Sequence, residues 1–486
     1  MVTIDDFLTK ADTRARLQMI RDPALAPDLR AYLGDAAFAE YERLATKIET
    51  GAHLARGHRP NLVFVPGVMG SLLLSRAKGG IWWIDARSAK HLDDLGLAGN
   101  GATDRDPDDD VAPCTTDPIY EPFLASVLAN PDFGHVTFPY DWRKSLRRST
   151  EAFRDRVREC RDKNGGPVNV VAHSMGGLLV RAALMTHGAE LWPLIDRIVF
   201  VGTPHYGSPA IAGYLKNHLW GFDILAVVGT LLSRASFRSL WGVIGMLPAP
   251  AGVYPGTRPE DRLPVGGVTW GGHPCANFDM YRASEWDLGL SSSEQDQLQA
   301  VLGGAAELYR DMAMAHRALT LEQRRKMLII AGVGYKTLFR LEYPVGLQRL
   351  WRDTVKITDR IPGDIHRDGD GRVPLASATL EGVTIRYVRG VHAGLTNIPA
   401  VYKDVFRWLN GAPPELPDTP AQALTMHLAP STTSEAPHLD GTARADKFGD
   451  DPGFLNLDEP DAVTLRRYVD QLDTGTLPGF NAAKIF

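Results

Sequence analysis

Ser174 stands in Ala172-His173-Ser174-Met175-Gly176-Gly177, between two apolar stretches of "VNVVAHSMGGLLVRAAL" (168–184). A serine flanked by small residues, where a strand turns sharply into a helix, is the pattern of a nucleophile elbow. The strained turn exposes the hydroxyl, and small neighbours let strand and helix approach. Ala172 and Gly176 fill the small positions of G-x-S-x-G. A hydroxyl is a poor nucleophile until a histidine takes its proton, and that histidine needs an acid to hold its tautomer. On folds with such elbows the chain order is serine, acid, histidine. Of the fourteen histidines, His392 in "VRGVHAGLTNIP" follows the last expected strand and precedes the last core helix, where the base belongs. The acid is sought in "HRDGDGRVP" (366–374), and Asp370, between two glycines, is preferred over Asp368. A calcium loop is the alternative for this D-x-D-G run. Ala378 and Thr379 stand where its glutamate should be, so no metal is expected. His173 is expected to point elsewhere on the elbow, and His205 in "GTPHYGSP" to be a site-wall or structural residue.

The developing oxyanion needs donors. One is the N–H of the residue after the nucleophile, Met175; the other comes from the loop after an earlier strand. "VPGVMGSLL" (65–73) suits that place, with Val68 as the expected donor and Met69 next.

These groups need a scaffold. "NLVFVPG" (61–67), "HVTFPYDW" (135–142), "VNVVAHS" (168–174), "RIVFVGTP" (197–204), "KMLIIAGVG" (326–334) and "VTIRYVRG" (383–390) read as buried strands, with helical patterns between several of them. That alternation predicts an α/β fold with a mostly parallel sheet. Residues 1–56 read as an N-terminal helical extension and 57–411 as the catalytic domain. Insertions occupy 76–133 and 207–325, and 412–486 read as a Pro/Ser/Asp-rich tail with a terminal helix at 461–472. The second insertion holds "LWGFDILAVVGTLLS" (219–233), either a buried cap helix or an apolar lid facing a lipid substrate.

The composition is that of a soluble globular chain: 486 residues, 44% apolar, 23% charged. A net charge of −5 argues against a dominant nucleic-acid surface. Arg143, Lys144, Arg147 and Arg148 read as a solvated helix face, and "DRDPDDD" (104–110) as a solvated acidic loop. Cys114, Cys160 and Cys275 form neither a disulfide framework nor a zinc pattern. The first residues carry charge and no apolar core, and no run reaches ~18 apolar residues, so neither a signal peptide nor a membrane span is expected. A cytoplasmic location follows as the expectation.

"PGVMGS", "FPYDWRKS", "AHSMGG", "GTPHYGS", "DGDGRVP" and "VHAGLTNIP" occur in the order seen in the lecithin:cholesterol acyltransferase-like family of α/β hydrolases. The chain resembles that family over roughly residues 60–410, and "PYDWR" (139–143) is the most distinctive piece. The resemblance implies an α/β-hydrolase fold with helices on both faces of the sheet and a cap. It implies Ser174, Asp370 and His392 as triad, Val68 and Met175 as oxyanion hole, and "PYDWR" as a structural brace. "IWW" (81–83) resembles a tryptophan-bearing segment that in relatives engages membranes or acyl chains. Trp82 and Trp83 therefore join Met69, His205 and Tyr206 as candidate substrate-binding residues. Secreted members carry a disulfide in the first insertion, where Cys114 has no local partner.

The expected activity is that of a serine-dependent carboxylic-ester hydrolase or O-acyltransferase. It would act on a lipid-like or acylated substrate through an acyl-serine, without metal or cofactor. The cap is expected to touch a membrane surface transiently, and no nucleic-acid partner is expected. The alternatives are a hydrolase or cyclase of an acylated biosynthetic small molecule and a non-catalytic lipid-binding scaffold.

Overall fold

Six short apolar runs become one sheet. In the computed structural model the strands are Leu62–Val65 (β1), Ser71–Ser75 (β2), Ile81–Trp83 (β3), Val111–Thr116 (β4), His135–Thr137 (β5), Val168–His173 (β6), Ile195–Val201 (β7), Pro264–Val265 (β8), Val268–Thr269 (β9), Met327–Val333 (β10), Arg340–Glu342 (β11), Lys356–Thr358 (β12) and Thr384–Arg389 (β13). The structure describes residues 4–9, 12–33, 35–51, 61–83, 91–216, 233–253, 264–265, 268–269, 279–286, 288–335, 337, 340–342, 356–358 and 369–425. Asp368, Cys275, the run 219–232 and the terminal helix expected at 461–472 lie outside them.

The main sheet runs β13-β10-β7-β6-β1-β5, and every neighbouring pair is parallel. Strands β1, β6 and β10 are buried at every residue, which is why they read as unbroken apolar runs rather than as alternation. Side chains still alternate between faces. Val63, Val170 and Phe200 pack into one core with helices Thr150–Asn164 (α6) and Met175–Leu191 (α7). Phe64, Val171 and Val199 pack into the other, with Phe123 and Leu124 from the helix Glu121–Leu128 (α5) and Val401 and Val405 from the helix Pro399–Leu409. Two helical layers enclose a parallel sheet whose central strand runs into a sharp turn and a helix, which is the α/β-hydrolase arrangement.

An antiparallel sheet, order β3-β2-β4, joins β2, just before the first insertion, to β3 and β4 within it. Against this sheet and α5 pack four N-terminal helices, Ile4–Thr9, Thr13–Ile20, Ala26–Leu33 and Asp35–Gly51. Phe7, Leu17, Phe38 and Tyr41 join Leu72, Ile81 and Ala125 in one cluster. Arg16 is 1% exposed at this seam. It pairs with Glu121 at 2.6 Å and donates to the carbonyls of Phe7, Leu8 and Thr116.

Two charge readings need correction. Arg143 does not lie on a solvated face: it is 0% exposed, forks onto Asp141 at 2.9 and 2.8 Å, and pairs with Asp104 at 2.8 Å. The acidic run is not wholly solvated either, since Asp104 and Asp109 are buried against Arg143 and Lys78. Asp104 and Asp109 look free in a local window and are claimed by partners far along the chain. In the second insertion, Leu240, Ile244, Leu247 and Ala249 are buried in the α7-side core, so this part of the cap is packed core.

Candidate active site

Ser174 sits between β6 and α7 with φ 51° and ψ −128°. It is one of two described non-glycine residues with positive φ, a conformation that costs of order 1–3 kcal/mol and persists only where surroundings enforce it. The enforcement is visible. The Ser174 N–H donates to the Val201 carbonyl at 2.9 Å, fixing the turn to β7. A Cβ on Gly176 would lie 2.4 Å from the Pro66 carbonyl oxygen, and one on Gly177 would lie 2.1 Å from Thr203 Oγ1. Only glycine lets α7 descend this close to the loops after β1 and β7.

The three residues singled out from the sequence meet here. Asp370 Oδ2 accepts from His392 Nδ1 at 2.7 Å, and His392 Nε2 lies 2.8 Å from Ser174 Oγ. An ionised carboxylate only accepts, so Nδ1 is the donor in that bond and Nε2 is the nitrogen that faces the hydroxyl. The other carboxylate oxygen, Oδ1, accepts the N–H groups of Arg372 (3.0 Å) and Val373 (2.7 Å), which anchors the acid in its turn. The His392 N–H donates to the Asp370 carbonyl at 2.9 Å, so acid and base are tied through main chain as well. Asp370 and Ser174 are 2% and 3% exposed. Gly332 in β10 makes room for the acid, because a Cβ there would lie 2.6 Å from Asp370 Cβ.

Opposite the elbow, residues 67–70 form a tight turn in which the Gly70 N–H donates to the Gly67 carbonyl at 3.1 Å. Met69 takes the positive-φ position, φ 59°, usually given to glycine. The buried indole N–H of Trp83 donates to the Met69 carbonyl at 3.0 Å and holds that peptide. Next to it Ser71 Oγ accepts the Tyr140 N–H at 3.0 Å, and the Ser71 carbonyl accepts Trp142 Nε1–H at 3.1 Å. Trp83 and Trp142 meet edge to face, 5.0 Å apart. "PYDWR" thus braces the turn that carries Val68. Among the described residues no protein acceptor takes the N–H of Val68 or Met69, and Met175 N–H lies in the first turn of α7, where it has no intrahelical acceptor. The N-terminus of α7, directly after Ser174, favours negative charge there.

The substrate-wall candidates come out differently. Trp82 and Trp83 are 0% and 1% exposed; Trp82 stacks on His91 at 4.7 Å, and Trp83 braces the turn. Met69 is 2% exposed. His205 is fully buried, edge-on to Phe200 at 5.0 Å, with its carbonyl accepting Arg181 Nη1 at 2.7 Å; burial and then Arg181 push its imidazole well below the usual range. All four are buried in this structure; of them, Trp83 has a visible bracing contact to the turn, through its bond to the Met69 carbonyl. Tyr206 remains half-buried.

Sequence reasoning missed Tyr120 altogether. Its hydroxyl accepts the Gly67 N–H and meets His173 Nδ1, both at 2.9 Å, while His173 Nε2 reaches the His392 carbonyl at 3.0 Å. No local signal in "DPIYEPF" marks it, since its partners lie 53 residues away in either direction.

Residues 130–249 match the model of the lecithin:cholesterol acyltransferase family. An uncharacterized protein of Saccharomyces cerevisiae, YJR098C, is 33% identical over 119 residues, 23% of this chain and 17% of that protein. Lecithin-cholesterol acyltransferase-like 4 of Arabidopsis thaliana is 25% identical over 313 residues, 57% of this chain and 56% of that protein. The chain therefore spans less than two thirds of either relative. Among solved structures, a chain of the Tle4-Tli4 complex aligns with 72% of this chain and 96% of its own, at 14% identity and TM-score 0.46. The mature Bacillus licheniformis lipase BlEst2 aligns with 73% and 92%, at 14% identity and TM-score 0.35.

Proposed function

We propose that this chain, which resembles the lecithin:cholesterol acyltransferase family in motif order and in its central segment, is a serine-dependent hydrolase or O-acyltransferase of carboxylic esters with a lipid-like acyl part. The observation that carries the reading is the hydrogen-bonded line from Asp370 through His392 to Ser174, with the serine held at positive φ.

Ser174 Oγ attacks the ester carbonyl while its proton passes to His392 Nε2. Asp370 keeps the imidazole in the reactive tautomer and stabilises the imidazolium. The carbonyl oxygen, now negative, takes N–H donors from Met175 and Val68, each contributing about 3 kcal/mol in the transition state. Collapse breaks the C–O bond to the alcohol, which leaves with the proton from His392, and an acyl-serine remains. Water, or a second alcohol, then gives its proton to His392 and attacks the acyl carbon; Ser174 leaves reprotonated. Hydrolysis and acyl transfer share every one of these groups and differ only in the acceptor.

A fluorophosphonate probe is expected to label Ser174 and to leave Ser174→Ala unlabelled. p-Nitrophenyl esters from short to long acyl chains are expected to turn over in the wild type only, faster with longer chains. Labelling at another residue, or equal turnover by Ser174→Ala, would refute the assignment.

A further inference from the structure

His173 is a buried titratable side chain that the chemistry above leaves unused, although its ring centroid is 5.0 Å from that of His392. Its hydrogen bonds have one consistent polarity. The His392 carbonyl only accepts, so His173 Nε2 carries the proton of the 3.0 Å bond. Burial, and then the neighbouring His392, push the His173 pKa down to about 3, so the ring stays neutral and Nδ1 is a bare acceptor. The Tyr120 hydroxyl therefore donates to Nδ1, and its oxygen accepts the Gly67 N–H. Gly67 opens the turn that carries Val68, and His392 is the base. The chain of bonds thus joins the two sides of the site around Ser174.

The same contact is close-fitting at each step. A Cβ on Gly67 would lie 2.9 Å from Ser174 Cβ, 3.1 Å from His173 Nδ1 and 3.3 Å from Tyr120 Oη. A Cβ on Gly70 would lie 2.8 Å from Tyr120 Oη. The Tyr120 ring is held edge-on by Phe64 at 4.9 Å, and the next residue, Glu121, is fixed by its pair with Arg16. The hydroxyl is thus enclosed by Gly67, Gly70 and His173.

We infer that Tyr120 and His173 are positioning residues that set the oxyanion turn and the base at a fixed separation across Ser174. The inference rests on the esterase reading of the same site. Neither side chain touches substrate; each acts through the backbone of a residue that faces the reacting atoms.

The test compares wild type, Tyr120→Phe, His173→Asn and the double variant. Three quantities are read: kcat and KM on a p-nitrophenyl ester, the rate at which a fluorophosphonate phosphonylates Ser174 with loss of fluoride, and a melting curve. Each single variant is expected to lose about tenfold to a hundredfold in kcat and in labelling rate, the scale of a misplacement of up to ~1 Å. KM should stay within about twofold, since ground-state binding does not use the chain. The double variant should be no worse than about the weaker single, because both substitutions cut one chain of bonds. Unchanged kcat in either folded single variant, or losses that multiply in the double, would overturn the inference. A lower melting temperature with wild-type kcat would do the same, assigning the pair to bracing alone. If Tyr120→Phe does not fold, His173→Asn is read by the same criteria. A wild type that the probe does not label sinks the esterase reading and this inference together, whereas labelled variants at the wild-type rate sink only the inference.

Discussion

Replacing Gly176 with alanine tests whether the spacing of the elbow sets the rate. A Cβ at this position would lie 2.4 Å from the Pro66 carbonyl oxygen and 2.7 Å from that of Val65. Ordinary contact begins at 3.4 Å, so the separation is short by about 1 Å, and both oxygens belong to backbone that cannot rotate away. Either α7 or the turn after β1 must give by that amount. The shift falls between Ser174 and Val68, the proposed nucleophile and a proposed oxyanion donor. A misplacement of about 1 Å costs about 10²-fold in rate. Overpacking costs about 1–3 kcal/mol of stability, against which alanine returns roughly 1 kcal/mol over glycine inside a helix. Gly176→Ala is therefore expected to lose about 10² in kcat/KM on a p-nitrophenyl ester while still folding, with a modest fall in melting temperature. Gly303→Ala in the helix Ser292–Ala318 is the control: nothing lies within 4 Å of a Cβ there, so full activity and slightly higher stability are expected. If Gly176→Ala keeps kcat/KM within about threefold of wild type, the argument from elbow spacing is refuted.

Two further outcomes concern the scaffold. Arg143→Met would leave Asp141 and Asp104 buried without their guanidinium; burial opposes the Asp141 charge, but Arg143 and Lys144 hold its pKa below the usual value. A loss of about 3–5 kcal/mol is expected in urea melts, and a loss below about 1 kcal/mol would show that the fork is dispensable. His135 has its pKa pushed down to about 4 by burial, with Asp12 opposing. Below its ordinary value of 6.5 the unfolded chain takes up this proton and the folded chain does not, so the unfolded state binds more protons and stability falls as pH drops from 6.5 toward 4. Between pH 7 and 5, His135→Gln is expected to lose about 2 kcal/mol less stability than wild type, measured by urea melts at both values; equal losses would count against an imidazole held neutral in the half-buried strand β5.

What could be read from the sequence was what local pattern encodes. The six apolar runs contain the six strands of the main sheet; β1, β6 and β10 were the plainest, because a parallel strand covered on both faces has no polar positions to disguise it. Ser174, Asp370 and His392 were each marked by punctuation: a small-residue elbow, a Gly-Asp-Gly turn, and a place after the last strand. The antiparallel sheet β3-β2-β4 left no such mark. "SLLLS", "IWW" and "VAPCTT" are short, Pro113 interrupts one of them, and their pairing is settled by distant packing. Trp82 and Trp83 are substrate candidates through the family resemblance alone, since residue type shows that a large side chain is wanted, not which way it faces. Asp104, Asp109 and Arg143 show the limit for charge, since a window of acids or bases cannot reveal a partner 30 or more residues away.

The Ser174 hydroxyl and the His392 imidazole that it meets are 218 residues apart in the chain. Loop closure over that distance comes late in folding, after local helices and neighbouring strands have formed. A chain that ends before His392 carries the serine, the turn after β1 and most of the sheet, yet no base. On the proposed mechanism the protein would stay inactive until β13, the last described strand of the main sheet, docks beside β10 and brings His392 to Ser174. Esterase activity would then report completion of the fold itself, and its recovery during refolding would time the arrival of the final strand more directly than any spectroscopic average.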